Sequence, residues 1–236
     1  MDVKKDAHDL VADIVLWIYA TVLSVFVAFV IIVRGQFRRF FALAMYFGIV
    51  AAANLLRLHV FNTYGFTSSE YGYFYYFSDL LLCVLLYFVI ATLYRNVFPA
   101  EGAHLRLRVG SIVIAAGVGI WSLAIVQAVS SRLISLWIVE YSQDLDFMSA
   151  VAALILFGFV RYKPNVPKPV HQLAFVFAGY YLFFALIYMI EYLSPRWSAP
   201  RGGLVGLFRM WLPLGVAYVF CDPNINESRN DPYPPL

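Results

Sequence analysis

The chain has 236 residues, of which 62% are hydrophobic and only 13% charged, and a formal net charge of +3. Globular domains carry about 25% charged residues, so this composition excludes an ordinary soluble domain. In so apolar a chain the placement of positive residues reports membrane topology, and nucleic-acid binding is not expected.

Apolar runs near the ~20 residues that a bilayer core requires recur from end to end: Ile14 to Val33, Phe40 to Phe61, Phe74 to Phe98, Leu107 to Val129, Val139 to Val160, His171 to Leu193 and Leu204 to Phe220. They predict an all-α membrane protein, a seven-transmembrane-helix bundle forming one domain over residues 1–221, followed by a poorly ordered, proline-rich tail over 222–236. Arg34, Arg38 and Arg39 follow the first run, Arg95, Arg106 and Arg108 the third, and Arg161, Lys163 and Lys168 the fifth. The opposite side holds fewer basic residues, so the positive-inside rule puts the N-terminus outside and the C-terminus in the cytoplasm. The first run is approached by Asp2, Asp6, Asp9 and Asp13 and followed by no small-residue cleavage site, so it reads as a retained helix and not a signal peptide.

The first run is rich in Val, Ile and Phe and suits a peripheral, lipid-facing position. The second carries Asn54, Arg57 and His59 near its outer end. Arg57 either snorkels to the headgroups or pairs with an acid of a neighbouring helix. The third opens on Tyr73-Phe74-Tyr75-Tyr76-Phe77-Ser78-Asp79, an aromatic belt with Asp79 about a turn and a half inside, at a depth matching Arg57.

Three segments, Arg34-Gly35-Gln36-Phe37-Arg38-Arg39-Phe40-Phe41, Tyr73-Phe74-Tyr75-Tyr76-Phe77-Ser78-Asp79-Leu80-Leu81 and Leu93-Tyr94-Arg95-Asn96-Val97-Phe98, the last followed by Glu101-Gly102, carry a resemblance. The chain resembles a group of uncharacterised seven-helix membrane proteins of bacterial genomes, notably acidobacteria, mainly over its first four helices. The resemblance implies the topology and a bacterial inner (plasma) membrane location, and supplies no functional residues.

The fourth run contains Gly110, Ala115, Ala116, Gly117, Gly119 and Ser122, small residues that let helices approach closely. The fifth begins with three carboxylates. Glu140 and Asp144 share a face, and Asp146 points about 200° away from Asp144. After the stiff connector Lys163-Pro164-Asn165-Val166-Pro167-Lys168-Pro169 comes an aromatic sixth run, in which Tyr180 and Tyr181 read as packing or belt residues, ending near Glu191. The seventh carries Arg209 ahead of Pro213, whose ring bends or breaks a helix. Cys83 and Cys221 fall at different depths, too far apart for a disulfide, and read as packed thiols.

On this topology Arg57, Asp79, Glu140, Asp144, Asp146, Glu191 and Arg209 project toward the outer half of the membrane, with acids in excess. Such acids need water, protonation, a cation or a partner, so they form either a ligand-binding polar cluster or a set of structural ion pairs. Catalytic signatures are absent. The last run has no lysine for a retinal Schiff base, the histidines never pair on one helix as haem or zinc ligands would, and there is neither a phosphate-binding loop nor a nucleophile elbow. No cofactor or metal is expected, and an enzyme would have to work with carboxylates alone. The expectation is a non-catalytic sensor, ligand-binding module or accessory subunit of a larger membrane complex. Its partners would be the bilayer, other membrane subunits or a second copy of the chain, and a small cationic or polar ligand. The alternative is a small-solute or cation transporter or channel.

Overall fold

The computed structural model describes residues 3–65, 68–98, 103–129, 133–163, 166–193 and 210–222. Among them the helices run α1 (Val3–Val33), α2 (Phe41–Tyr64), α3 (Ser69–Val97), α4 (Ala103–Val129), α5 (Leu133–Tyr162), α6 (Lys168–Leu193) and α7 (Trp211–Cys221). α1 to α6 each hold a stretch long and apolar enough to cross a membrane, which makes this an all-helical, multi-pass membrane protein; α7 is a shorter apolar helix. The expected tail lies outside the described residues except for Asp222, which is ion-paired with Lys168 at 2.9 Å and so belongs to the bundle.

Local chemistry explains where the helices stop. At the end of α1, Gly35 adopts φ +70°, its N–H donates to Ile32 O at 3.0 Å and the Gln36 N–H to Ile31 O at 3.1 Å. This paired closure satisfies carbonyls the helix would leave open, and it needs a residue without a β-carbon at the left-handed position. Ser68 caps α3, its Oγ accepting from the Tyr71 N–H at 3.1 Å. That cap starts α3 at Ser69, five residues ahead of the expected run, and moves Asp79 nearly three turns into the helix. α5 likewise starts at Leu133, so its acids lie inside a continuous helix and not at its entrance. The connector expected to stay extended through Pro169 is shorter than that, because Lys168 already begins α6. Proline is tolerated in a first turn, where its missing N–H has no partner to lose. Pro213 occupies the same kind of position in α7. α1 has 31 residues, a length of roughly 46 Å that overruns a hydrocarbon core of about 30 Å.

α3 lies at the middle, packed on α2, α4, α5 and, over a short length, α6. α1 packs on α2 and α7, α7 on α6, and α6 on α5, so the chain closes into a ring of helices with α4 on its outside against α3 and α5. As expected, α1 is peripheral. Ser24, Val27 and Ile31 form its buried stripe, while Val22, Val25, Phe29 and Val33 are exposed, as suits lipid. The apolar core joins Ile31, Leu43, Phe47, Ile90, Leu93, Leu156, Leu173, Phe177, Val216 and Phe220.

The core lies toward the end where α1, α3, α5 and α7 finish, and basic side chains close that end. Arg34 donates to Cys221 O at 3.4 Å, and the Lys163 ammonium donates to Val97 O while lying 4.8 Å from the Phe98 ring centroid. A cation at a helix C-terminus is favoured by the open carbonyls and the helix dipole. Some residues that signal topology in the sequence are therefore also caps. Cys221 is exposed at this end and Cys83 half-buried; neither forms a disulfide, and the expectation of a packed Cys221 is corrected.

α6 and α7 meet most closely at Gly215, where a β-carbon would lie 2.6 Å from Val176 Cγ1 and 2.9 Å from Cγ2. Gly215→Ala is expected to destabilise the bundle by about 1–3 kcal/mol through overpacking. Val176→Ala in the same chain is expected to recover part of that loss. Thermal unfolding in detergent of the two single variants and the double variant checks it, and strictly additive effects would exclude the contact.

Candidate functional site

The face that α2 turns to the core is marked by Leu43, Phe47, Asn54 and Arg57, a helical stripe that ends on a guanidinium. Arg57 is thereby buried, at 4% exposure, and does not snorkel. The Ser68 cap brings Tyr71, Tyr75 and Ser78 onto the opposing stripe of α3. Arg57 Nε donates to Ser78 Oγ at 2.7 Å and NH2 to Tyr75 O at 3.2 Å; the guanidinium lies 4.4 Å from the Tyr75 ring centroid, and NH2 is 3.5 Å from Asp79 Oδ1. Ser78 passes its own proton to Tyr75 O at 2.9 Å. The Arg57–Asp79 pair expected from matching depth is therefore present. Its shortest contacts, however, are the hydrogen bonds to neutral acceptors, which the sequence reading did not anticipate.

The acids of α5 separate as the helical period requires. Asp144 faces α4, where its Oδ2 lies 2.7 Å from Ser122 Oγ, a hydroxyl that also lies 2.8 Å from Val118 O. On the same flank Trp137 Nε1 donates to Gly119 O at 3.0 Å and Tyr141 Oη to Ala115 O at 3.1 Å, with the two rings stacked at 5.5 Å. The Tyr141 ring lies 3.4 Å from where a Gly119 β-carbon would stand. The small residues of α4 thus serve close packing at Ala115, Gly119 and Ser122, whereas Ala116 and Gly117 are exposed. Asp144 is a structural tie between α4 and α5.

Asp146, on the other flank of α5, acts on a different set of groups. It lies within electrostatic range of the Tyr46 and Tyr181 hydroxyls. Tyr46 on α2 also feels Tyr180 on α6 and Cys83 and Asp79 on α3. Tyr46 and Tyr181 are buried members of one core, while Asp146 is exposed and Asp79 partly so. Carboxylates on α3 and α5 and a thiol on α3 therefore lie within electrostatic range of phenols buried between α2 and α6. Tyr46, Cys83, Tyr180 and Tyr181 were missed as site residues, because a tyrosine in an apolar helix reads equally well as packing. The available signal was the buried stripe that places Tyr46 beside Leu43 and Phe47.

Glu140 is half-buried on α5. The Glu191 side chain and Arg209 lie outside the described residues. Of the seven candidate residues the structure thus joins Arg57 with Asp79, leaves Asp146 exposed on α5, and diverts Asp144 to α4. Among the described residues no three His, Cys, Asp or Glu side chains converge to hold a metal ion.

Arg57→Met is expected to destabilise by about 3–5 kcal/mol, the range for removing one partner of a buried pair. Asp79→Asn should cost roughly 1 kcal/mol or less, since this carboxylate is about a third exposed and Arg57 keeps its other contacts. Exchanging the two residues should restore only part of the loss, because an aspartate at 57 cannot donate to Tyr75 O. Ser122→Ala should lose about 0.6 kcal/mol, an average interhelical hydrogen bond in a membrane. Reversible unfolding in mixed micelles measures all four. No protein-family model, curated protein or solved structure matches the chain, so its function is read from these residues alone.

Proposed function

We propose that the chain is a non-catalytic integral membrane protein that binds a small polar or cationic ligand between α2, α3, α5 and α6, acting as a sensor or as an accessory subunit of a larger membrane complex. The observation that carries this reading is the burial of the Tyr46 and Tyr181 phenols of α2 and α6 in an apolar bundle, with the Asp146 carboxylate of α5 within electrostatic range of both. Ionisable groups at such depth are costly in a bilayer and mark functional sites by default. Purification in mild detergent followed by native mass spectrometry tests it. A co-purifying small molecule or membrane protein that is lost in Asp146→Asn supports the reading, and an empty, monomeric wild-type protein counts against it.

In this reading the bundle has seven spans, the N-terminus outside and the C-terminal tail in the cytoplasm of a bacterial inner membrane. The basic residues at the end where α1, α3, α5 and α7 finish support that orientation, as does the resemblance to acidobacterial seven-helix proteins. Cys221 is exposed at that end. A membrane-impermeant maleimide is therefore expected to leave Cys221 unlabelled in intact cells and to label it once the membrane is opened. Labelling in intact cells would reverse the topology.

Transport is the second reading. It is favoured by Tyr46, which lies in the early turns of α2 and extends the polar set from Arg57 and Asp79 toward the basic end. Solute flux into proteoliposomes, abolished in Asp146→Asn, would select it over the sensor.

A further inference from the structure

α4 and α5 pack on each other, yet they meet tightly over only part of their length. On α4, steps of three and four residues keep one face from Ser122 through Gly119, Ala115 and Ile112 to Arg108. On α5 the matching face begins with Trp137, Tyr141 and Asp144 and ends with Ile155, Phe159 and Tyr162. Away from the basic end the two faces are joined: Ala115 O accepts from Tyr141, Gly119 O from Trp137, and Ser122 meets Asp144.

Toward the basic end the same faces are uncovered. Ile112 is 50% exposed, Ile155 48%, Phe159 51% and Tyr162 87%, and Arg108 is exposed too. Had the helices stayed together, these side chains would be buried as Ala115 and Ser122 are. The helices therefore splay apart and leave a crevice that opens on lipid. α3 forms its floor, where Tyr94 Oη donates to Ala152 O at 2.7 Å and the Phe98 ring stands edge-on to Phe159 with centroids 5.5 Å apart.

Apolar walls and a positive mouth select the occupant. Arg108 ends the α4 face toward the basic end, Arg106 and Arg161 are exposed at the same helix ends, and the Lys163 ammonium lies 4.8 Å from the Phe98 ring centroid. Among the described residues, neither face carries a carboxylate between Asp144 and that mouth. A partner's apolar helix seated there would bury the Arg108 charge without an acid to meet it, which is costly in a bilayer. A phospholipid brings a phosphate at headgroup level and hydrocarbon below it, and basic side chains between membrane helices hold anionic headgroups in this way. Tyr162 suits the same level, with an apolar ring and a polar tip.

We infer that the crevice between α4 and α5 at the basic end binds one anionic diacyl phospholipid, its phosphate on Arg108 and an acyl chain along Ile112, Ile155 and Phe159. This site is separate from the polar set between α2, α3, α5 and α6, and it stands whether or not that set binds a ligand.

The test uses the full chain, purified in detergent and stripped of lipid, titrated with phosphatidylglycerol, with phosphatidylcholine of the same acyl chains, and with inorganic phosphate. The unfolding temperature should rise saturably with phosphatidylglycerol, at an apparent affinity at least about fivefold above that for phosphatidylcholine, and should not respond to inorganic phosphate. Arg108→Gln should lower the affinity for phosphatidylglycerol about fivefold. Arg38→Gln removes an equally exposed charge between α1 and α2 at the same end and should leave that affinity unchanged. Ile112→Trp fills the crevice and should weaken both lipids without lowering the unfolding temperature of the lipid-free chain.

Equal affinities for the two lipids, or an equal shift with inorganic phosphate, overturn the inference. So do Arg38→Gln and Arg108→Gln variants that lose affinity alike, since a diffuse surface charge would account for that. A membrane protein that co-purifies with the wild type and is released by Ile112→Trp would make the occupant a partner's helix and overturn it as well.

Discussion

A guanidinium surrounded by hydrocarbon must find all its partners within the protein, and Arg57 imposes that condition on α2 and α3. Its partners, Ser78 Oγ, Tyr75 O, the Tyr75 ring and Asp79, all come from one short stretch of α3. Their positions require the two helices to run antiparallel in one register. α3 is also the helix on which α2, α4, α5 and α6 pack, so the register set at Arg57 is passed to most of the bundle. Burial of the charge is tolerable because it is shared: the ion pair at 3.5 Å is the longest of the polar contacts and the bonds to neutral acceptors are shorter. A buried pair without such support would not recover its desolvation cost.

The same requirement shapes the remaining interfaces. In lipid no hydrophobic force draws two apolar helices together, so close packing and interhelical hydrogen bonds must hold them. α5 meets α4 through Trp137, Tyr141 and Asp144 on one flank, and α3 through the Tyr94 hydroxyl and the apolar stripe of Leu145, Ala153 and Leu156. At the end where α1, α3, α5 and α7 finish, Arg34, Lys163 and Lys168 meet the open carbonyls or acid of helix termini.

Toward the basic end, interlocking residues such as Phe47, Ile90, Leu156, Phe177 and Phe220 make a close-packed core that resists rearrangement. Tyr46 and Tyr181 belong to that same core, so two phenols are held among apolar neighbours.

The class of the protein was legible from composition and from the length of its apolar runs, because both are local properties that lipid constrains directly. The pairing of Arg57 with Asp79 was legible too, since two isolated opposite charges at similar depth on consecutive helices have few other ways to be satisfied. The separation of Asp144 from Asp146 followed from the helical period alone. What each of them meets did not. Asp144 was grouped with a ligand site and instead ties α5 to α4, while Tyr181, read as a packing or belt residue, is buried in the core. These helices are apolar nearly all round, so no amphipathic stripe tells which face meets protein and which meets lipid. That decision belongs to the order in which helices pack, a non-local property, and it is why Tyr94 finds a carbonyl of α5 to bond.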